Sequence, residues 1–175
     1  PEGANITAGA YILTITYQGG DGNDIVLTVT DTLIMHVDAD AAPGGDGQSW
    51  ATAYQTLQDA LTVAVAGNEI WVAEGVYYPD EGGMQTDGDR LATFSLVDGV
   101  SVYGGFAGIE TTREERNPEA NVTILSGDIN QDDINDDGNF IAESIDDINI
   151  ENSIHIMTGS AVDTMTEVSG FTVTS

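Results

Sequence analysis

The stretch from residue 56 to residue 79 most constrains the fold, because a short helical pattern stops within it and an apolar strand begins almost at once. Apolar side chains recur at the spacing of one helix face, at Leu57, Ala60, Leu61, Ala64 and Val65. Thr56 is placed to cap the start of this helix, and Gly67 is placed to end it. An apolar strand follows over residues 70–73. A helix this short can cover one open end of a narrow sheet.

Short apolar segments continue along the rest of the chain. Strands are predicted over residues 92–96, 100–103, 122–125, 154–157 and 168–173. Separations of roughly 20 to 30 residues suit a solenoid in which each coil stacks on the last. Between two of these strands, Gly104 and Gly105 allow a tight corner that turns Phe106 inward.

The first 31 residues form a unit of their own. Alternating apolar residues predict strands over 11–17 and 25–30, joined by a glycine-rich turn at 19–23, which is the pattern of a β-hairpin. Residues 19–27 also match one copy of a calcium-binding nonapeptide, but that motif needs stacked copies, so a plain turn is the preferred interpretation. We therefore expect two domains: residues 1–31, which end a preceding module or supply bridging strands, and residues 32–175.

The chain is strongly acidic, with 30 Asp and Glu against 3 Arg and a formal net charge of −27. A nucleic-acid partner is excluded because binding to phosphates needs a cationic surface. No apolar run approaches the roughly 20 residues that span a bilayer, so we expect no membrane insertion. Two explanations of the acidity stay open. Either calcium ions bind among the carboxylates, or the charge is a solubility surface suited to a saline habitat.

The sharpest chemical signal lies in residues 128–139. An Asp-x-Asn-x-Asp pattern occurs there twice, and its six members are Asp128, Asn130, Asp132, Asp133, Asn135 and Asp137. Alternate oxygen side chains on a tight loop point to one centre, and Gly138 permits the turn with which EF-hand calcium loops begin. The twelfth position is Ser144 and not glutamate, and Glu143 is one residue short. The sequence thus predicts a short aspartate-rich Ca²⁺ site, with a disordered acidic loop as the alternative.

Other candidate groups have simpler interpretations. Asp38, Asp40 and Asp46 lie in a glycine-rich loop and are expected to be solvated, while Trp50 and Tyr54 are expected to pack under the helix. Arg113 and Arg116 are expected to pair locally with the glutamates Glu110, Glu114, Glu115 and Glu119. His36 and His155 lie too far apart in sequence for a metalloprotease motif. We therefore predict no catalytic residue.

Six sequence blocks resemble the amino-terminal part of right-handed parallel β-helix domains of the pectin-lyase-like type. These domains occur in very large secreted or surface-anchored bacterial proteins. The matching blocks are residues 45–54, 57–79, 100–118, 123–130, 152–160 and 170–174. The resemblance implies an all-β fold, a right-handed parallel β-helix (solenoid) with a short N-terminal capping α-helix, preceded here by the β-hairpin.

The same resemblance implies an extracellular or cell-surface location and a structural role. The expected function is a calcium-supported module that acts as a stalk, an adhesin or a subunit of a head-to-tail filament. The expected partners are further copies of the chain or adjoining modules. The alternative is a carbohydrate-active or glycan-binding domain, because lyases and hydrolases share this fold. The residues that uronate lyases of this type use for proton transfer normally lie on later coils.

Overall fold

The computed structural model describes residues 2–8, 11–20, 24–142 and 144–174. The first six strands are β1 (Asn5–Ala8), β2 (Tyr11–Gly19), β3 (Asp24–Thr32), β4 (Ile34–Val37), β5 (Glu69–Ala73) and β6 (Gly75–Tyr77). The other six are β7 (Phe94–Leu96), β8 (Ser101–Phe106), β9 (Thr123–Ser126), β10 (Met157–Gly159), β11 (Glu167–Ser169) and β12 (Phe171–Thr174). Helix α1 (Leu57–Val63) lies between β4 and β5, and short 3₁₀ turns occur at Trp50–Thr52, Arg113–Glu115 and Ile145–Asp147.

Helix α1 begins where its sequence predicts and ends earlier. The Thr56 hydroxyl accepts a hydrogen bond from the Asp59 amide, which confirms the predicted cap. The helix stops at Ala64, so Gly67 does not end it. Gly67 takes a φ of +95° in the turn that leads to β5, and its N–H donates to the Gly99 carbonyl. Val65, expected on the buried face, is exposed.

The strands form four sheets. The antiparallel sheet has the order β1-β2-β3, and the three parallel sheets have the orders β10-β7, β11-β8-β5-β4 and β12-β9-β6. Ile34 pairs with Glu69, Glu69 with Ser101, and Ser101 with Glu167. Each parallel pair is therefore connected by a long crossover, which carries the loops that hold most of the acidic residues.

The predicted parallel β-helix is wrong. The described strands form several short separate sheets of mixed direction, and no solenoid is detected among them. A physical reason is the uneven length of chain between paired strands: successive partners in the sheet of β4 lie 35, 32 and 66 residues apart. Stacked coils need a nearly constant length of chain. The spacing of roughly 20 to 30 residues is that between neighbouring apolar segments, not between paired strands.

The main apolar core lies between α1 and the parallel strands. It contains the side chains of Leu57, Ala60 and Leu61 from the helix, packed with Val37, Ile70, Phe94, Val102 and Leu125. A second cluster joins Trp71, Tyr103 and Phe106, with Trp50 packed against it. Phe106 is fully buried, as predicted. Trp50 thus packs away from the helix, whereas Tyr54 packs against the main core.

The antiparallel sheet keeps an apolar face exposed. Its strands β2 and β3 are the two strands that the alternating sequence predicts, although the turn residues 21–23 lie outside the described part of the chain. Pairing places Ile6 beside Leu13 and Ile15 beside Leu27. Ile25 is 67% exposed and Leu27 is 52% exposed. The only helix among the described residues has seven residues and is too short to cross a membrane.

Candidate metal centre

Strand β9 delivers Asp128 to the acidic loop. Asp128 follows the strand by two residues, and its N–H donates to the Ser126 hydroxyl at 3.2 Å. The adjacent Gly127 N–H donates to the Thr174 carbonyl at the end of β12. Ile129 is buried and anchors the start of the loop among acidic neighbours. Asp128 is therefore fixed by both the sheet and the core.

The Asp128 carboxylate organises the turn that follows it. Its Oδ1 accepts the Asp132 N–H at 3.0 Å, and its Oδ2 accepts the Asp133 N–H at 3.2 Å. Gln131 lies between them with a φ of +54°, in the left-handed region. This turn folds the chain back, so that the side chains of Asp132 and Asp133 return towards Asp128.

Asp133 connects the loop to a segment almost twenty residues later. Its Oδ1 accepts the Asn149 N–H at 2.6 Å, and its Oδ2 accepts the Asn152 Nδ2 at 2.7 Å. The Asn149 side chain donates to the Asp132 carbonyl at 2.6 Å. Asn152 is only 7% exposed, and its Oδ1 has no hydrogen-bond partner among the described residues. This amide oxygen is a further acceptor beside the acidic cluster.

One oxygen atom from each of Asp128, Asp132 and Asp133 lies within 4.8 Å of the others. Oxygen ligands of one Ca²⁺ stand about 2.3–2.6 Å from the ion, so two of them are at most about 5 Å apart. The three carboxylates can therefore hold one metal ion. Burial raises the pKa of Asp128, and the charges of Asp133 and Asp132 raise it further, against the lowering effect of the two amides.

The other three predicted ligands are held elsewhere. Asn130 Nδ2 donates to Glu151 Oε2 at 3.3 Å. Asn135 Oδ1 accepts the Phe140 N–H, and Asp137 accepts both the backbone and side-chain N–H groups of Asn139. The structure thus brings together Asp128, Asp132 and Asp133, and not the alternating sets that the sequence predicted. Gly138 has a φ of +76°, and Glu143 lies outside the described residues.

A cleft of about 200 Å³ opens beside the cluster. Its wall includes Tyr78, Asp128, Asp133 and Phe140. Burial raises the pKa of Tyr78 to about 12, and the charges of Asp128, Glu81 and Asp80 add to this effect. The phenol therefore stays neutral at physiological pH and lies among three carboxylates.

The remaining acidic candidates accept hydrogen bonds from backbone amides within their own loops. Asp38 Oδ1 accepts the Asp40 N–H at 2.9 Å, and Asp46 Oδ1 accepts the Gln48 N–H at 3.1 Å. Both are local turns that need no ion. The 3₁₀ turn at Arg113–Glu115 has a capping box, in which the Glu115 carboxylate accepts the Thr112 N–H.

The two arginines contact residues that are farther away in the sequence than the predicted partners. Arg113 Nη1 donates to Glu69 Oε1 at 3.1 Å and to the Tyr103 hydroxyl at 2.9 Å. Arg116 donates to the carbonyls of Gly104 and Ser169 and to the Ser169 hydroxyl. The only salt bridge among the described residues is Arg113–Glu69, so the predicted pairing with neighbouring glutamates is wrong. Arg113 instead binds side chains of β5 and β8, and Arg116 binds β8 and β11.

The aromatic cluster packs mainly against itself. The rings of Trp71 and Phe106 are stacked at 4.8 Å and are buried. The Trp50 Nε1 donates to the Glu110 carbonyl at 2.9 Å, which fixes this ring over the cluster. His155 lies on an exposed segment before β10, and not within a strand as expected.

Sequence reasoning missed Asn149, Asn152 and Tyr78 at this site. Asn149 lies between the predicted elements and Asn152 begins the block of residues 152–160, and both meet Asp133 only through tertiary folding. Tyr78 lies near the end of the block of residues 57–79, which carries no pattern of metal ligands. A local signal was available only for the aspartates.

No protein-family model matches the chain. Comparisons with curated proteins and with solved structures found no match either. The resemblance to pectin-lyase-like domains therefore has only the order of the sequence motifs as its basis. The chemistry of the described residues carries the functional argument.

Proposed function

We propose that this chain is a calcium-supported structural module of an extracellular or cell-surface protein. The observation that carries the proposal is the convergence of Asp128, Asp132 and Asp133, whose carboxylate oxygens lie within 4.8 Å of one another. Three like charges at this separation repel one another strongly unless a cation lies between them. The surplus of acidic residues over the whole chain supports the same conclusion.

Calcium fits the donor set better than other common metals. The cluster offers only carboxylate oxygens, which hard cations prefer, and the chain contains no cysteine. Ca²⁺ accepts six to eight oxygen ligands in flexible geometry, whereas Mg²⁺ demands a near-ideal octahedron. Three carboxylates on an exposed loop, completed by water and by the Asn152 amide oxygen, suit the larger ion. Extracellular fluid supplies it at the concentrations that weak surface sites need.

The proposed role of the ion is to stabilise the fold. Asp128 follows β9, and Asp133 binds the segment that leads to β10, so an ion between them stabilises both ends of the connection from β9 to β10. A ligand that binds only the folded state stabilises it by about 2.7 kcal/mol at one hundred times its Kd. The ion thus makes the acidic loop part of the folded module.

Thermal unfolding with and without Ca²⁺ tests this proposal. We expect Ca²⁺ to raise the Tm of the wild type and a chelator to reverse the rise. The variant D128N/D132N/D133N removes the ligand charges and should show a smaller response. The matched control E114Q/E119Q/D136N removes three charges from exposed positions and should keep it. An equal effect of Ca²⁺ on both variants would count against the site.

We extend the proposal to assembly with further copies of the chain. Strand β3 is an edge of the antiparallel sheet, and the sheet exposes Ile25 and Leu27. An open strand edge beside an apolar face is a site for pairing with another chain. Bound Ca²⁺ favours assembly because it reduces the repulsion between acidic copies.

Sedimentation at a series of protein concentrations in Ca²⁺ measures this association. We expect the wild type to self-associate and I25S/L27S to weaken the association. The matched control V63S alters an apolar residue of similar exposure on α1 and should leave it unchanged. A monomeric wild type at all concentrations would exclude assembly through this sheet.

A further inference from the structure

The cleft beside the three-aspartate cluster (Asp128, Asp132 and Asp133) is the size of one small ligand. Its volume is about 200 Å³, and Asp128 and Asp133 both line it. Pockets for drug-sized molecules have about 300–1,000 Å³, so this cleft fits a single ring-sized molecule. A molecule that occupies the cleft contacts the same carboxylates that hold the proposed ion.

The cleft also has an apolar lining that the fold leaves in water. Ile134, Phe140 and Ile141 line it, and all three side chains are exposed. Phe140 has a φ of +61°, which is uncommon for a bulky residue, and its N–H donates to Asn135 Oδ1 at 3.1 Å. The loop thus holds an aromatic ring at the cleft, where a ligand that covers it gains hydrophobic stabilisation.

Two polar groups at this site have no hydrogen-bond partner in the part of the chain that the structure describes. Asn152 is only 7% exposed, and its Nδ2 donates to Asp133 Oδ2 at 2.7 Å, whereas its Oδ1 is unpartnered. Because both atoms belong to one amide group, this Oδ1 lies beside the three-aspartate cluster. The hydroxyl of Tyr78, which lines the cleft, also makes no hydrogen bond to a described residue. A buried acceptor without a partner points to a bound ion or molecule.

The proposed ion has coordination positions left for a ligand. Ca²⁺ takes about six to eight oxygen ligands. Three monodentate carboxylates and the Asn152 amide oxygen supply four of them, so at least two positions remain. Two adjacent hydroxyl groups on one ring can replace two water molecules there, because they offer two oxygens to the ion and two O–H donors to the carboxylates.

The charge of the occupied site favours a neutral ligand. Three carboxylates and one Ca²⁺ leave one net negative charge, and no described arginine lines the cleft. The chain as a whole carries a formal charge of −27. An anionic ligand is therefore repelled, whereas a cationic ligand competes with the ion for the carboxylates. A neutral polyol meets neither obstacle.

We propose that the cleft binds a neutral sugar ring through the bound Ca²⁺, with two adjacent ring hydroxyls as ligands of the ion. The C–H face of the ring packs against Phe140, and the Tyr78 hydroxyl donates a hydrogen bond to a ring oxygen. This inference rests on the proposed calcium site and adds the ligand of that site. No bond is made or broken, so the activity is binding alone.

Saturation-transfer NMR with defined probes tests this inference. The probes are the methyl glycosides of galactose, mannose and glucose, each measured with Ca²⁺ and with a chelator. We expect at least one of them to bind only in Ca²⁺, and to bind the wild type and not D128N/D132N/D133N. Its 3-deoxy form has no adjacent pair of hydroxyls and should bind about tenfold more weakly or worse. The matched uronate, which carries a carboxylate in place of the hydroxymethyl group, should also bind more weakly.

Variants of the cleft that leave the metal ligands intact test the assigned contacts. F140A should weaken the probe by about tenfold or more, because the ring loses its apolar partner. Y78F keeps the ring but removes the hydroxyl, and it should weaken the probe several-fold. The matched control is I109A, which alters an exposed apolar residue outside the cleft and should bind as the wild type does. All three variants should keep the rise in Tm that Ca²⁺ causes.

The outcomes separate this inference from the proposed function. A rise in Tm with Ca²⁺ but no binding of any of the three glycosides overturns the sugar site and keeps the calcium site. No rise in Tm and no binding overturns both. Binding that is equal in Ca²⁺ and in chelator, tighter for the uronate, or equal in F140A and I109A overturns the inference. Choline that binds the metal-free chain and is displaced by Ca²⁺ would make the cleft a site for organic cations, which also overturns it. Circular dichroism checks folding, and if F140A fails to fold, Y78F and the deoxy probe decide.

Discussion

His36 lies within the aromatic cluster, and its environment favours the neutral ring. Its Nδ1–H donates to the Gly47 carbonyl at 3.0 Å, and its ring is 4.6 Å from that of Trp50 and 5.8 Å from that of Trp71. Burial lowers the pKa of His36 below 6.5, although the hydrogen bond to Gly47 opposes this shift. The unfolded chain thus binds a proton more readily than the folded chain.

The lowered pKa of His36 predicts a loss of stability in acid. The contribution of the neutral ring is complete above the unfolded pKa of about 6.5 and declines as the pH falls through it. We expect the free energy of unfolding of the wild type to fall more steeply than that of H36Q between about pH 7 and pH 5. Urea unfolding at a series of pH values measures both slopes. Parallel slopes would show that His36 does not contribute.

Gln58 shows how one buried polar side chain supports both ends of the loop between β6 and β7. Its Nε2 donates to the carbonyls of Pro79 and Thr93, and the residue is buried on α1. We expect Q58A to lower the free energy of unfolding by about 2 kcal/mol, because two carbonyls lose a donor. The exposed Gln55 is the control, and Q55A should change stability by less than about 0.5 kcal/mol. Equal effects in chemical denaturation would contradict the assigned role of Gln58.

Among the secondary-structure elements, α1 offers a clear test of local sequence signals. The Thr56 hydroxyl accepts the Asp59 N–H at 3.3 Å and donates to Asp59 Oδ2 at 2.8 Å. We expect T56A to reduce stability by about 1 kcal/mol, as the loss of an N-cap usually does. The control is T62A, since the Thr62 hydroxyl only binds the Gln58 carbonyl four residues earlier. A smaller loss for T56A than for T62A would contradict the importance of the cap.

The sequence predicts local elements better than their ends. The start of α1 was predictable because a side chain three residues away supplies the cap. Its end was not, because Ala64 turns into an extended conformation that no local signal marks. Similarly, residues 168–173 read as one strand, whereas Gly170 with a φ of +86° divides them into β11 and β12. A glycine inside an apolar run is compatible with either arrangement.

The candidate metal centre was predictable only in part, because tertiary contacts decide which aspartates converge. The density of aspartates located the loop, but the choice of Asp128, Asp132 and Asp133 depends on the turn that Asp128 itself caps. The contacts of Asp133 with Asn149 and Asn152 bridge segments distant in sequence.

For the whole molecule, the pairing of the strands could not be predicted from the sequence. Apolar segments indicate that strands exist, but the choice of partner depends on crossovers of unequal length. Strands separated by 32 residues pair in one part of the sheet, and strands separated by 66 residues pair in another. The interval between neighbouring segments is therefore a poor guide to the architecture here.

The net charge of −27 allows the two explanations of the acidity to be separated by experiment. General repulsion is screened by any salt, because the Debye length falls from about 10 Å at 0.1 M to about 3 Å at 1 M. We therefore expect NaCl to raise the Tm of the wild type, of D128N/D132N/D133N and of E114Q/E119Q/D136N. Millimolar Ca²⁺ at constant high ionic strength should add a further rise in the wild type and in E114Q/E119Q/D136N, and a smaller rise in D128N/D132N/D133N. If Ca²⁺ adds nothing once NaCl has screened the charges, the acidity is a general adaptation of the surface and the ion has no structural role.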